Sequence, residues 1–168
     1  MVVSGAPAPR RTIDPPDWIA PWIGLPYGDL GRGPAFDCWG LVREVVGMEF
    51  GVWLPSYDGR YADTHENAQL AALLESESAR WQRIAVADRR RLVRLATEQP
   101  GDCLLFRQAR LAGHVAVVAG GGWMVHIEEG LHSVTERYDE QPWAVRLIGI
   151  YRNPAIAGAA AARLGIAA

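Results

Sequence analysis

Three consecutive glycines, Gly120-Gly121-Gly122, stand between two short β-rich runs, His114-Val115-Ala116-Val117-Val118-Ala119 and Trp123-Met124-Val125-His126-Ile127. Such runs around a glycine turn predict a hairpin, and a hairpin ties the two sequence halves into one antiparallel unit. If the turn centres on Gly120, position 114 lies opposite position 126. Residues directly opposite on antiparallel strands project to the same face, so the two imidazoles would be neighbours. A two-residue turn shifts the register by one and sends them to opposite faces, so the expectation depends on an odd loop.

The second constraint lies far upstream in Phe36-Asp37-Cys38-Trp39-Gly40-Leu41-Val42-Arg43. Gly33 and Pro34 mark a loop, Asp37 is a good helix cap, and Leu41, Val42, Val45 and Val46 then recur at helical spacing. Cys38 therefore falls in the first turn of a helix. Unpaired amides and the positive end of the dipole there favour a thiolate and, later, an oxyanion. Together with an imidazole, that position predicts a thiol pKa within about 3.5 to 7.5. In this reading Cys38 is the nucleophile, His114 its base, and His126 the group that orients His114. Cys103, in the apolar run Asp102-Cys103-Leu104-Leu105-Phe106, reads as core. A cysteine and two histidines are also zinc ligand types, but no fourth ligand or usual ligand spacing accompanies them. His65 and His132 read as surface residues.

At 168 residues and 49% apolar content the chain is long enough for one domain with a real core. The expected organisation is a flexible segment over 1–12, one domain over 13–153, and an Ala-rich tail over 154–168 that forms a short helix or a mobile end. Within 57–99 we expect a helical insertion. Asp63 and Glu66 suggest a capping box, Leu70, Leu73 and Leu74 a helical stripe, and Arg89 to Thr97 a second helix. Strands are expected near Cys103–Arg107, His114–Ala119, Trp123–Ile127, Leu131–Glu136 and Val145–Tyr151. Helices first and strands later indicate an α+β fold with an antiparallel sheet. The net charge of −2 argues against nucleic acid as a main partner, and the run Arg89, Arg90, Arg91 and Arg94 reads as a solvated helix face. No stretch approaches the length of a membrane span, and Met1 to Thr12 has no apolar export core.

With these motifs in place the chain resembles the NlpC family of papain-like cysteine peptidases, bacterial cell-wall enzymes, and in particular its phage tail-associated branch. That pattern is a tyrosine in a Gly-rich loop, Asp-Cys-Ser-Gly opening a helix, Pro-Gly-Asp entering a strand, then Gly-His-Val and a second polar residue. This sequence supplies Tyr27, Asp37-Cys38-Trp39-Gly40, Pro100-Gly101-Asp102, Gly113-His114-Val115 and His126, over about Trp18 to Tyr151. Trp39 replaces the usual serine, in the form associated with the tail branch.

The resemblance implies a papain-like fold, with N-terminal helices packed on a C-terminal antiparallel sheet, and no cofactor or metal. It implies hydrolysis of an amide in peptidoglycan stem peptides, next to D-glutamate, through a thioester. Tyr27 is carried over as an oxyanion donor. Asp37 and Trp39 are candidate substrate contacts, although Trp39 packed on the sheet is an equal reading. Without an export signal, delivery by a phage or phage-like tail to the wall is the expected route, with tail proteins as partners. The alternatives are a catalytically silent structural tail protein and an amide or lipid acyltransferase on the same scaffold.

Overall fold

The structure is a computed structural model that describes residues 6–57, 76–77, 81–88, 91–108 and 111–164. A short 3-10 turn (Asp17–Trp22) precedes helix α1 (Cys38–Phe50). Strands β1 (Gln82–Asp88), β2 (Arg91–Arg94), β3 (Cys103–Gln108), β4 (Leu111–Gly120), β5 (Trp123–His126) and β6 (Val134–Arg137) follow. Helix α2 (Trp143–Arg146), strand β7 (Leu147–Arg152) and helix α3 (Pro154–Leu164) end the described chain. The strands form one sheet in the order β2-β1-β7-β3-β4-β5-β6, with every pair antiparallel. This is an α+β fold with a helix ahead of an antiparallel sheet.

Strand alternation divides the core between the two faces of the sheet. Val115, Val117, Val125, Ile127, Cys103 and Leu105 pack with Cys38, Leu41, Val42, Val45 and Val46 of α1. Leu104, Phe106, Ala116, Val118, Met124 and Ile150 pack on the other side with Tyr138 and Trp143. The stripe Leu41, Val42, Val45, Val46 is at most 1% exposed, and each such side chain contributes about 1.5–3 kcal/mol on burial. Gly51, at φ 70°, ends α1 in the left-handed conformation that favours glycine.

Within 57–99, residues 76–77 are helical, and the departure from the helical reading lies further on. Arg91 to Arg94 form strand β2, which pairs with β1 in a hairpin, and β1 joins the main sheet through β7. Burial explains the difference: Ile84 and Ala85 are fully buried in the second cluster, and Leu92 packs against it. Four residues of helix could not place Leu92 and Val93 in that ladder. The proposed helix around Asp63 to Leu74, and with it His65, lies outside the described residues, as do Arg89 and Arg90.

Both ends of the described chain are held. Ala6 N–H donates to Arg94 O at 2.8 Å and Thr12 N–H to Gly121 O at 3.0 Å, so residues 6–12 of the segment read as flexible run bonded across the sheet. The Ala-rich tail is helix α3, whose Ile156 and Ala160 are 1% exposed and pack into the α1 cluster.

The β4–β5 hairpin carries the positional result. Its turn is two residues long, Gly121 and Gly122, with Gly120 opposite Trp123. Gly120, Gly121 and Gly122 have φ of 120°, 61° and 91°, a succession that L side chains disfavour and glycine accepts. A two-residue turn alone would have separated the histidines. Instead the register shifts between Val118 and Gly120, leaving Ala119 as an extra residue, and Val117 pairs Val125. Extending that register sets His126 across from Ala116, so His114 and His126 are diagonal neighbours on one face. The expected direct opposition of 114 and 126 is thus replaced by a diagonal, and a bulge restores the shared face.

Candidate active site

Asp37 builds the start of α1. Its Oδ1 accepts from Gly40 N–H at 2.5 Å, and its carbonyl accepts from Leu41 N–H at 3.0 Å. Its Oδ2 accepts from Arg32 Nη1 at 2.9 Å, while Arg32 Nη2 donates to Ser56 O at 2.8 Å. Asp37 is fully buried, its carboxylate engaged by the helix start and Arg32. Gly40 is dictated by proximity: a Cβ there would stand 1.9 Å from the carbonyl oxygen of Gly31.

Cys38 is 7% exposed within the α1 cluster. Its sulfur accepts from the backbone amides of Trp39 and Val115, which favour the thiolate as a helix start should. Burial outweighs them, and the Asp37 carboxylate adds to it, so the thiol is pushed up to about 12. The expected depressed pKa is therefore corrected. The helix start is present, but a buried anion loses more solvation than two amides return.

The two histidines pack against Phe106 and Trp143 of the second cluster. His114 Nε2 and His126 Nδ1 are 3.2 Å apart, and His126 Nε2 is 2.8 Å from Glu136 Oε2. The Trp143 indole N–H donates to the same Oε2 at 2.7 Å. Trp143 also packs against both imidazoles, with ring centroids 5.3 Å from His114 and 4.6 Å from His126. Burial, followed by the neighbouring His126, holds His114 well below 6.5. Burial lowers His126 as well, against the opposing pull of Glu136.

The structure brings His114 and His126 together, and sets the Cys38 sulfur against the backbone of Val115, the next residue along β4. The Cys38 sulfur meets the amide of Val115, one residue beyond His114, while the His114 ring packs on Phe106 and Trp143 of the second cluster. Among the described residues no hydrogen bond joins Cys38 to His114. His114 sits at an irregularity of β4: it pairs Phe106, whereas Arg107 already pairs Ala112. Bulges of this kind re-aim side chains next to reactive sites.

Tyr27 pairs by its backbone with Phe36, two residues before Cys38, and its ring packs against the α1 cluster. Trp39 is 3% exposed, donates from Nε1 to Pro55 O at 2.9 Å and packs on Tyr57 at 5.3 Å. It also walls a small apolar cavity with Tyr57, Trp81, Leu105, Val115 and Tyr151. Cys103 is buried in the same cluster as Cys38, and its thiol too is pushed up to about 12 by burial. Asp102 of the Pro-Gly-Asp motif takes two bonds from Arg152 on β7, at 2.9 and 2.7 Å, and so anchors β3. His132 is exposed.

Sequence reasoning missed Glu136 and Trp143. A signal for Glu136 existed in register: it pairs Met124 while Val134 pairs His126, so alternation puts Glu136 on the His126 face. Trp143 is placed by α2, four residues long, which no periodicity announces.

The sequence matches the NlpC/P60 family over residues 24–152. A structure from Staphylococcus aureus subsp. aureus Mu50, described as similar to a lipoprotein of the NLP/P60 family, overlays with a TM-score of 0.53 at 20% identity, covering 91% of this chain and 45% of that one. NlpC1 from Trichomonas vaginalis gives a TM-score of 0.53 at 17% identity, covering 85% of this chain and 46% of that one. The chain thus spans under half the length of either, and at these identities the likeness is one of fold. No curated protein gives a significant match.

Proposed function

The chain belongs to the NlpC/P60 family, and on that footing we propose that it is a cysteine peptidase that hydrolyses an amide of peptidoglycan stem peptides next to D-glutamate. The observation that carries this reading is the buried pair His114 Nε2 to His126 Nδ1 at 3.2 Å, set one residue along β4 from the amide that meets the Cys38 sulfur.

In the proposed reaction His114 takes the Cys38 thiol proton as the sulfur attacks the amide carbonyl carbon. A carbon–sulfur bond forms, and the carbonyl becomes a tetrahedral oxyanion. The Trp39 amide is engaged by the sulfur, which leaves the Cys38 amide to receive the oxyanion, with the Tyr27 hydroxyl as second donor. As the carbon–nitrogen bond breaks, the amine leaves with the proton held by His114. Water, deprotonated by the same imidazole, then opens the thioester and restores the thiol.

The resting state is neutral thiol and neutral imidazole, because burial pushes Cys38 up and His114 down. Proton transfer therefore accompanies the attack and does not precede it. A specific observation favours a second reading. The buried thiol, unbonded to His114, also suits a silent structural tail protein.

One digest decides between them: purified peptidoglycan incubated with the protein and with Cys38→Ala, its products read by mass spectrometry. New peptide ends that depend on Cys38 are expected. Identical products from both proteins would leave the structural reading. Delivery in a phage or phage-like tail to the wall is a further part of the proposal, supported by the Asp37-Cys38-Trp39-Gly40 form. Immunodetection of the chain in purified tail particles checks it, and its absence there would remove that part alone.

A further inference from the structure

An indole N–H can only donate, and that of Trp143 meets Glu136 Oε2 at 2.7 Å, so this oxygen is an acceptor. His126 Nε2 meets the same oxygen at 2.8 Å and must therefore carry its hydrogen. Burial keeps His126 neutral near pH 7, which leaves the lone pair on Nδ1. His114 Nε2, 3.2 Å from that lone pair, is then the donor, and the neutral His114 ring keeps its own lone pair on Nδ1.

We infer that Glu136, held by Trp143, is a positioning residue that fixes the tautomer of both imidazoles and so presents His114 as a base at Nδ1. The ring planes are held by the same tryptophan, which stands at 72° to His126 and 31° to His114. Glu128 and Arg146 are the other charges acting on His126, with opposite signs, and they pair with each other at 3.5 Å. Glu136 is the group bonded to the ring. Its side chain is 46% exposed, so the hydrogen-bonded chain runs from a solvent-facing carboxylate to a buried base.

The inference rests on the peptidase reading only for what His114 Nδ1 does; the tautomers stand or fall separately. The test is a long-range nitrogen–proton correlation spectrum of the histidine side chains in the full chain at neutral pH, which distinguishes protonated from bare ring nitrogens. Both rings should be Nε2–H in the wild type and in Glu136→Gln, whose side-chain oxygen accepts the same two hydrogens. Glu136→Ala should release His126 into a mixture of tautomers. It should also lower kcat by about tenfold to a hundredfold with KM little changed, as losing an outer partner of a working imidazole does.

Nδ1–H on His114 in the wild type, or unchanged tautomers in Glu136→Ala, would overturn the inference. If Glu136→Ala does not fold, the wild-type and Glu136→Gln spectra decide: Nε2–H on both rings in both proteins supports the inference, and any other pattern ends it. Intact tautomers beside a failed peptidoglycan digest would remove the peptidase reading and leave the positioning role standing.

Discussion

The two halves of the candidate site, thiol and imidazoles, handle a proton in opposite ways. In the thiol half the Cys38 sulfur lies among apolar side chains with two backbone amides for company, and it keeps its proton up to about 12. In the other half His114 and His126 are equally buried, yet they are linked by hydrogen bonds to the half-exposed Glu136 and are held below their ordinary range. The cause is common to both. Desolvation penalises whichever form is charged, the thiolate on one side and the imidazolium on the other. The comparison teaches that a helix start and a nearby histidine do not by themselves make an ion pair. When both partners are buried, the same physics drives them to a neutral pair, and nucleophilicity has to be generated by proton transfer during the reaction.

The largest expected effects come from removing one half's chemistry at a time. Cys38→Ala and His114→Ala should each abolish turnover of peptidoglycan peptides, His114 through the loss of about 10²–10⁴-fold from general acid–base catalysis alone. Cys103→Ala should keep activity, since Cys103 is buried core in the same cluster. His126→Asn and His126→Gln should retain more activity than His126→Ala, because an amide can still bond to the His114 ring where a methyl cannot. Steady-state rates on one peptide substrate check the series. Full activity of His126→Ala would erase the distinction between the halves, since the polar chain would then do nothing for the sulfur.

A smaller effect separates two contributions that meet at Asp37. Asp37→Ala removes the cap and the carboxylate partner of Arg32, and the lost cap alone costs about 0.5–2 kcal/mol, which urea unfolding would read. Asp37→Asn keeps a capping oxygen but removes the carboxylate that helps hold the thiol high. Iodoacetamide labelling of Cys38 should therefore begin at lower pH in Asp37→Asn than in the wild type. In both, it should need a pH above the ordinary thiol value of 9.0. Labelling that saturates at neutral pH would show that burial does not govern the sulfur.

What was legible in sequence followed from local chemistry. Asp37 before an apolar 3.6-residue stripe fixed the start of α1 at Cys38, and glycines at 120 to 122 fixed the turn of a hairpin. What was not legible depended on partners distant in the chain. The extra residue at Ala119 cannot be read from its own sequence, yet it alone keeps His114 and His126 on one face. Leu92 and Val93 carry a periodicity too short to separate strand from helix, and the choice came from β1, itself held by β7. The depth at which Cys38 lies was equally hidden, because it is set by Val115, Val117 and Leu105, more than sixty residues downstream.

The smallest expected effect is a pair of limbs in stability against pH, one for each half. On the alkaline side the folded thiols of Cys38 and Cys103 hold their protons to about 12 against an ordinary 9.0, and burial pushes Tyr138 up as well. Between those values the unfolded chain binds fewer protons than the folded one. Stability is therefore fully present below 9.0 and is lost as pH rises through the folded values, at most by about 1.4 kcal/mol per pH unit for each group. On the acid side His114 and His126 stay neutral below 6.5 when folded, so the unfolded chain binds the extra protons and stability falls as pH drops from 6.5. Urea midpoints across the pH range should show a plateau between these limbs. Cys38→Ala should make the alkaline limb shallower, with Cys103 and Tyr138 keeping the rest, and leave the acid limb in place, while His114→Ala should make the acid limb shallower and leave the alkaline limb in place. A Cys38→Ala protein with an unchanged alkaline limb would mean that the sulfur is better solvated than its place under α1 implies, and the contrast between the two halves would then narrow to the histidines alone.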